Sequence, residues 1–205
     1  MSGGDMEELE QIATQIRACT ACILHRGRTM AVPGEGPADA AIVFVGEAPG
    51  FHEDQQGRPF VGQAGQFLEE LLASIGLRRD QVYITNIVKC RPPGNRDPLP
   101  DEIAACSPYL DRQLALIRPK LVVTLGRFSM AHFLPRARIS DVHGQPQRVG
   151  GVICYPMYHP AAALHQPSLR RTVEEDFRRI PEVLAKAEGV AEYQLPPQPE
   201  QLRLF

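Results

Sequence analysis

The chain has 205 residues, 43% of them hydrophobic and 22% charged, with a formal net charge of −2. That length supports one good core with short tails, and the composition excludes wholesale disorder and a fibre. The near-neutral total does not point to a nucleic-acid partner, yet residues 118–148 carry Arg118, Lys120, Arg127, Arg136, Arg138 and Arg148 against the single acid Asp141, a stretch that can bind phosphate or be a solvated face.

The acidic start, with Asp5, Glu7, Glu8 and Glu10, lacks the basic and apolar regions of a secretory signal, and no apolar run approaches the roughly 20 residues of a membrane helix. A cytoplasmic protein without membrane contact is expected. In a reducing compartment five cysteines are not expected to form a disulfide framework, which makes metal binding the leading reading. Cys19-Thr20-Ala21-Cys22 is a C-x2-C pair, and Cys90 and Cys106 follow with 15 residues between them. Spacing allows Zn²⁺ on four thiolates or a [4Fe–4S] cluster, the plainer alternative being core cysteines and a chance pair. Cys154 lies in an apolar run and reads as a small core hydrophobe.

Short buried strands are predicted at 41–46 (AIVFVG), 82–86 (VYITN), 120–126 (KLVVTLG) and 152–156 (VICYP). Phe67, Leu68, Leu71, Leu72 and Ile75 form one helical apolar face stopping at Gly76, and a second helix opens at Pro100-Asp101 and runs to about Ile117, before Pro119. The alternation predicts α/β architecture, a three-layer α/β/α sandwich with a central, mainly parallel four-stranded sheet. Ligands in such sheets gather beyond the carboxyl ends of the strands. Residues 1–190 read as one domain and 191–205 as a flexible Pro-rich tail. A P-loop is excluded, since no Lys-Ser/Thr follows residues 46–50 at the required spacing.

Four loop sequences belong together: Gly46-Glu47-Ala48-Pro49-Gly50 with Glu53-Asp54, Gly57-Arg58-Pro59-Phe60-Val61-Gly62, Asn86-Ile87-Val88-Lys89-Cys90-Arg91-Pro92-Pro93 with Asn95-Arg96, and Met157-Tyr158-His159-Pro160-Ala161. In this order, and with the four cysteines in place, they resemble the family 4, iron–sulfur uracil-DNA glycosylases, over about residues 19–177. The resemblance implies a monofunctional hydrolase that flips uracil from DNA and cleaves its glycosidic bond, leaving an abasic site. It implies a [4Fe–4S] cluster on Cys19, Cys22, Cys90 and Cys106. It implies a uracil pocket of Gly46, Glu47, Ala48, Phe60 as the aromatic floor, Asn86 as the selective amide and His159 as the donor to uracil O2. Glu47 matches the residue assigned to the attacking water. The metal-free relatives have a tyrosine against uracil C5 where this chain has Gly50, so the thymine methyl must be excluded otherwise, and Glu53 is the candidate. In the loop after His159 the superfamily contacts DNA, with Leu164 as the minor-groove wedge and Ser168, Arg170 and Arg171 near phosphates.

The chain ends Gln201-Leu202-Arg203-Leu204-Phe205, which resembles the short peptides by which bacterial repair proteins dock into the sliding clamp. The expected partners are uracil-containing DNA, single- or double-stranded, and that clamp, with the protein itself a monomer. A non-catalytic, metal-stabilised DNA- or clamp-binding module is the competing reading.

Overall fold

The computed structural model describes residues 3–187. Its sheet has five strands, β1 (Ile42–Gly46), β2 (Tyr83–Asn86), β3 (Leu121–Leu125), β4 (Gln147–Val149) and β5 (Val152–Met157), in the order β2-β1-β3-β5-β4. All pairs are parallel except β4 with β5. The mainly parallel sheet is as expected; the expected count of four is corrected to five. The missed strand is an antiparallel edge of three residues, Gln147, Arg148 and Val149, none of them buried. An edge that short, with two polar residues, has no apolar signature to read.

Before, between and after the strands the chain forms α1 (Gly3–Ala18), α2 (Phe51–Gln56), α3 (Gln63–Ser74), α4 (Pro100–Ile117), α5 (Arg127–Phe133), α6 (Ile139–Val142), α7 (Pro160–His165), α8 (Pro167–Arg178) and α9 (Ile180–Lys186). Strand side chains alternate between two cores. Val43, Val45, Val122 and Cys154 point into one, with Ile12 and Ile16 of α1, Leu110 and Leu114 of α4 and Phe133 of α5. Ile42, Phe44, Val123 and Tyr155 point into the other, with Phe67 and Leu71 of α3, Val173 and Phe177 of α8 and Val183 of α9. Because a strand's side chains alternate faces, continuously buried strands need cover on both, which gives the three layers. Phe44 stacks on Phe177 across the second core, centroids 5.6 Å apart and planes 8° from parallel. Cys154 is fully buried, as its apolar run implied.

The chain leaves β1 toward β2 at one edge and β3 toward β4 and β5 at the other, so the connections of these adjacent strands diverge. Such a switch point opens a crevice at the carboxyl ends of the strands. Among the described residues no helix is long and apolar enough to cross a membrane.

Candidate active site and thiol centre

Gly46 closes β1 in register with Asn86, the last residue of β2. A Cβ on Gly46 would stand 2.3 Å from Asn86 Oδ1 and 2.6 Å from Phe60 Cζ, so only glycine lets these side chains close over the strand end. Phe60 is buried and sits at φ 52, a left-handed conformation costly for a bulky residue. Its loop is held from outside. Arg79 donates through Nη1 to the Phe60 carbonyl at 2.8 Å and through Nη2 to the Pro59 carbonyl, while its Nε pairs with Glu35. Gly65 passes so near that a Cβ there would lie 1.9 Å from the Phe60 carbonyl oxygen. Sequence reasoning did not find Glu35, Arg79 or Gly65, because their roles depend on contacts between segments distant in the chain.

Phe60, Asn86, His159 and Glu53 line a cavity of about 170 Å³ with Ala48 and Gly50. Asn86 is 2% exposed, and its Oδ1 has no hydrogen-bond partner. A buried acceptor left unpaired costs about 1–3 kcal/mol, which a ligand N–H would recover. His159 caps α7, and its Nδ1 accepts the Ala161 N–H at 3.0 Å, so the neutral ring carries its proton on Nε2. Burial pushes the His159 pKa down to about 4, against the opposing charge of Glu53. The ring is a neutral donor at physiological pH. It stacks on Phe60 with centroids 5.6 Å apart and planes 20° from parallel. Glu53 is anchored through both oxygens, Oε2 accepting the Gly50 N–H at 3.1 Å and Oε1 those of Val61 and Gly62 at 2.8 and 2.9 Å. It thereby ties the start of α2 to the Phe60 loop.

Ala48, Gly50 and His159 also border a wider cleft of about 450 Å³, lined as well by Asn95, Arg96 and Arg127. Glu47 lines this cleft, outside the small cavity, beside Gly126, where a Cβ would meet its Oε1 at 2.3 Å. Desolvation raises the Glu47 pKa above the ordinary 4.5, opposed mainly by the Phe128 N–H at 3.4 Å. The predicted pocket residues are therefore brought together, with Gly46 beneath the cavity, Ala48 in its wall and Glu47 one step away in the cleft.

The four cysteines come from three segments: Cys19 and Cys22 after α1, Cys90 after β2 and Cys106 in α4. All four border one small cavity. N–H groups point at three of the sulfurs, from Ala21 to Cys19 at 3.5 Å, from Arg28 Nη1 to Cys90 at 3.1 Å and from the Lys89 backbone to Cys106 at 3.2 Å. Burial raises the Cys90 and Cys106 pKa values, the latter to about 11. Four thiols around one cavity, with donors aimed at sulfur, fit a thiolate-held metal centre. The side chains surround the cavity without meeting at a point; among the described residues no three of His, Cys, Asp or Glu converge closely enough for one ion.

Leu164 is half-buried against the α8 side of the core, and Ser168 is exposed. Arg170 donates to Glu174 at 3.0 Å and Glu70 at 3.2 Å, and Arg171 to Glu175 at 2.7 Å. The peptide 201–205 lies outside the described residues.

The model of the uracil DNA glycosylase superfamily matches residues 33–184. The chain is 52% identical over 188 residues to a type-4 uracil-DNA glycosylase of Sulfurisphaera tokodaii, covering 87% of this chain and 86% of that protein. It is 50% identical over 190 residues to the type-4 enzyme of Archaeoglobus fulgidus, covering 88% and 96%. Against a type-5 uracil-DNA glycosylase of Pyrobaculum aerophilum the identity is 36% over 174 residues.

Proposed function

The chain belongs to the uracil DNA glycosylase superfamily, and from that premise we propose that it is a monofunctional glycosylase that flips uracil out of DNA and hydrolyses its N-glycosidic bond. The observation that carries the reading is the unpaired, buried Asn86 Oδ1 in a cavity floored by Phe60 and capped by a neutral His159.

Uracil stacks on Phe60, its N3–H donates to Asn86 Oδ1 and its O4 accepts from the Asn86 amide. Cytosine presents the inverse pattern and leaves the buried amide unpaired, a mismatch that discriminates more strongly than shape alone. As the bond to C1′ breaks, negative charge collects on uracil O2, and the His159 Nε2–H donates to it. One such donor is worth about 10²–10³ in rate. Glu47 orients water in the cleft toward C1′. Glu53 stands against C5, its carboxylate fixed by three backbone amides, and leaves no room for the thymine methyl.

Cys19, Cys22, Cys90 and Cys106 would hold the [4Fe–4S] cluster, whose chemistry here is structural, tying the segment after α1 to α4 and to the loop that follows Asn86. Iron–sulfur over zinc rests on the motif resemblance together with the donor set; the visible spectrum with iron and sulfide content of fresh protein decides it. Leu164 and its neighbours in α7 and α8 face the DNA. The exposed pairs of Arg170 and Arg171 with glutamates are screened by water, add little to stability and can be exchanged for phosphates.

The test is release of free uracil from a uracil-containing oligonucleotide by metal-replete protein. Loss by at least 100-fold in His159→Ala and Asn86→Ala is expected, and no release by the wild-type chain would overturn the assignment.

A further inference from the structure

Phe51 opens α2 immediately after Gly50, one of the residues that border both the small cavity and the cleft. It is 51% exposed, one of the few large hydrophobic side chains left in water among the described residues. The ring is not idle: the Arg91 guanidinium lies 5.1 Å from its centroid, and His52 meets it edge-on at 5.5 Å. Arg91 is in turn fixed, its Nε donating to Asn95 Oδ1 at 2.7 Å, and both Asn95 and Pro92, the residue after Arg91, line the cleft. The two arginines that line the cleft are paired with carboxylates, Arg96 with Glu102 and Arg127 with Asp97. Among the described residues Arg91 has no carboxylate partner.

An exposed, preoriented aromatic face beside an uncommitted arginine, continuous with a pocket for one base, is what a neighbouring nucleotide would need. Bases stack on aromatic rings without regard to sequence, and a guanidinium supplies the phosphate contact and reinforces the stack. Resting on the proposed uracil excision, we propose that Phe51 and Arg91 form a second nucleotide subsite, in which the base flanking the flipped uracil stacks on Phe51 and its phosphate pairs with Arg91. The site grips the substrate strand next to the lesion and acts on binding, leaving the bond-breaking step alone.

The test uses full-length, metal-replete protein and single-stranded oligonucleotides in which the base 5′ or 3′ of uracil is present or replaced by an abasic spacer. For wild type, removing the flanking base on one side should raise KM roughly 5- to 150-fold at unchanged kcat, the range given by base–aromatic stacking. Phe51→Ala should show that raised KM with the intact oligonucleotide and no further response to the spacer, whereas Phe51→Trp should retain the response. Arg91→Met should raise KM on every substrate and flatten its salt dependence. Equal KM for Phe51→Ala and wild type, or a spacer effect that survives in Phe51→Ala, would overturn the subsite. Excision by wild type with no response to either spacer would overturn it while leaving the uracil reading intact, and absence of excision by wild type would count against that reading instead.

Discussion

The proton of the neutral His159 ring sits on Nε2 because the Ala161 amide already occupies Nδ1. Protonating the ring would set two N–H groups against each other, in addition to the desolvation that holds its pKa at about 4. A group depressed from 6.5 makes a stability contribution that is complete above about 6.5 and is lost as pH falls through about 4. Glu47 has the opposite sign. Its raised pKa means that folding favours its neutral form, so the ionised carboxylate costs stability at neutral pH and the cost vanishes as pH falls. Glu47→Gln should therefore raise the melting temperature at pH 7 while lowering kcat. The acid limb of kcat, above 4.5 in wild type, should move down toward the His159 value. An unchanged limb in a slowed Glu47→Gln enzyme would remove the carboxylate from the water-orienting role. These assignments were half legible beforehand. The motif sequences named His159, Asn86 and Glu47, but the tautomer, the orphaned Oδ1 and the separation of Glu47 from the small cavity follow from what each side chain meets in space.

At the scale of elements the site depends on loops pinned by groups that no local pattern reveals. The Phe60 loop has a bulky residue at φ 52, kept there by Arg79 from the turn before β2 and by the glycine at position 65 of α3. Arg79→Met should release the loop, raising KM and lowering kcat for uracil excision by about tenfold or more, since small misplacements at a reacting centre are costly. Its far-ultraviolet spectrum should stay that of wild type, and unaltered kinetics would show that Phe60 holds its own position. Gly65→Ala is the harsher version, because the new methyl would overlap the Phe60 carbonyl oxygen at 1.9 Å. The helix at Pro100–Ile117 is readable from the Pro100-Asp101 pair that opens it and from Pro119 beyond its end, and it is found with those bounds. The strand at Gln147–Val149 was not, since three residues, none buried, carry no period.

For the whole molecule, the four thiols gather segments that the fold also joins by packing and side-chain hydrogen bonds, α1 to α4 through Gln15 and Arg112 and the loop after Asn86 to α4 through Lys89 and Gln113. Burial keeps the Cys90 and Cys106 thiols protonated without metal, so forming the centre must release protons and its occupancy should fall with pH. Stripping the metal with chelator and oxidant should lower the melting temperature and expose residues 87–98 to protease before the two cores give way. A stripped protein that melts and cleaves like the loaded one would mean the centre does not hold that loop.

The sequence by itself determined the layers, since continuous apolar strands alternating with amphipathic helices must be covered on both faces. It also determined the chemistry on offer, because the thiols, the amide, the imidazole and the aromatic ring are fixed by residue identity and stand in recognisable loops. Only the tertiary structure decided which atoms remain unpaired and which are spent. Asn86 Oδ1 lies unpaired over the strand end where Gly46 lets it close, the His159 proton is on Nε2 because a backbone amide claims the other nitrogen, and Arg91 lies over an exposed ring while Arg96 and Arg127 are paired with carboxylates. Pairing is a property of neighbours in space, and neighbours distant in the chain leave no period or spacing to be read.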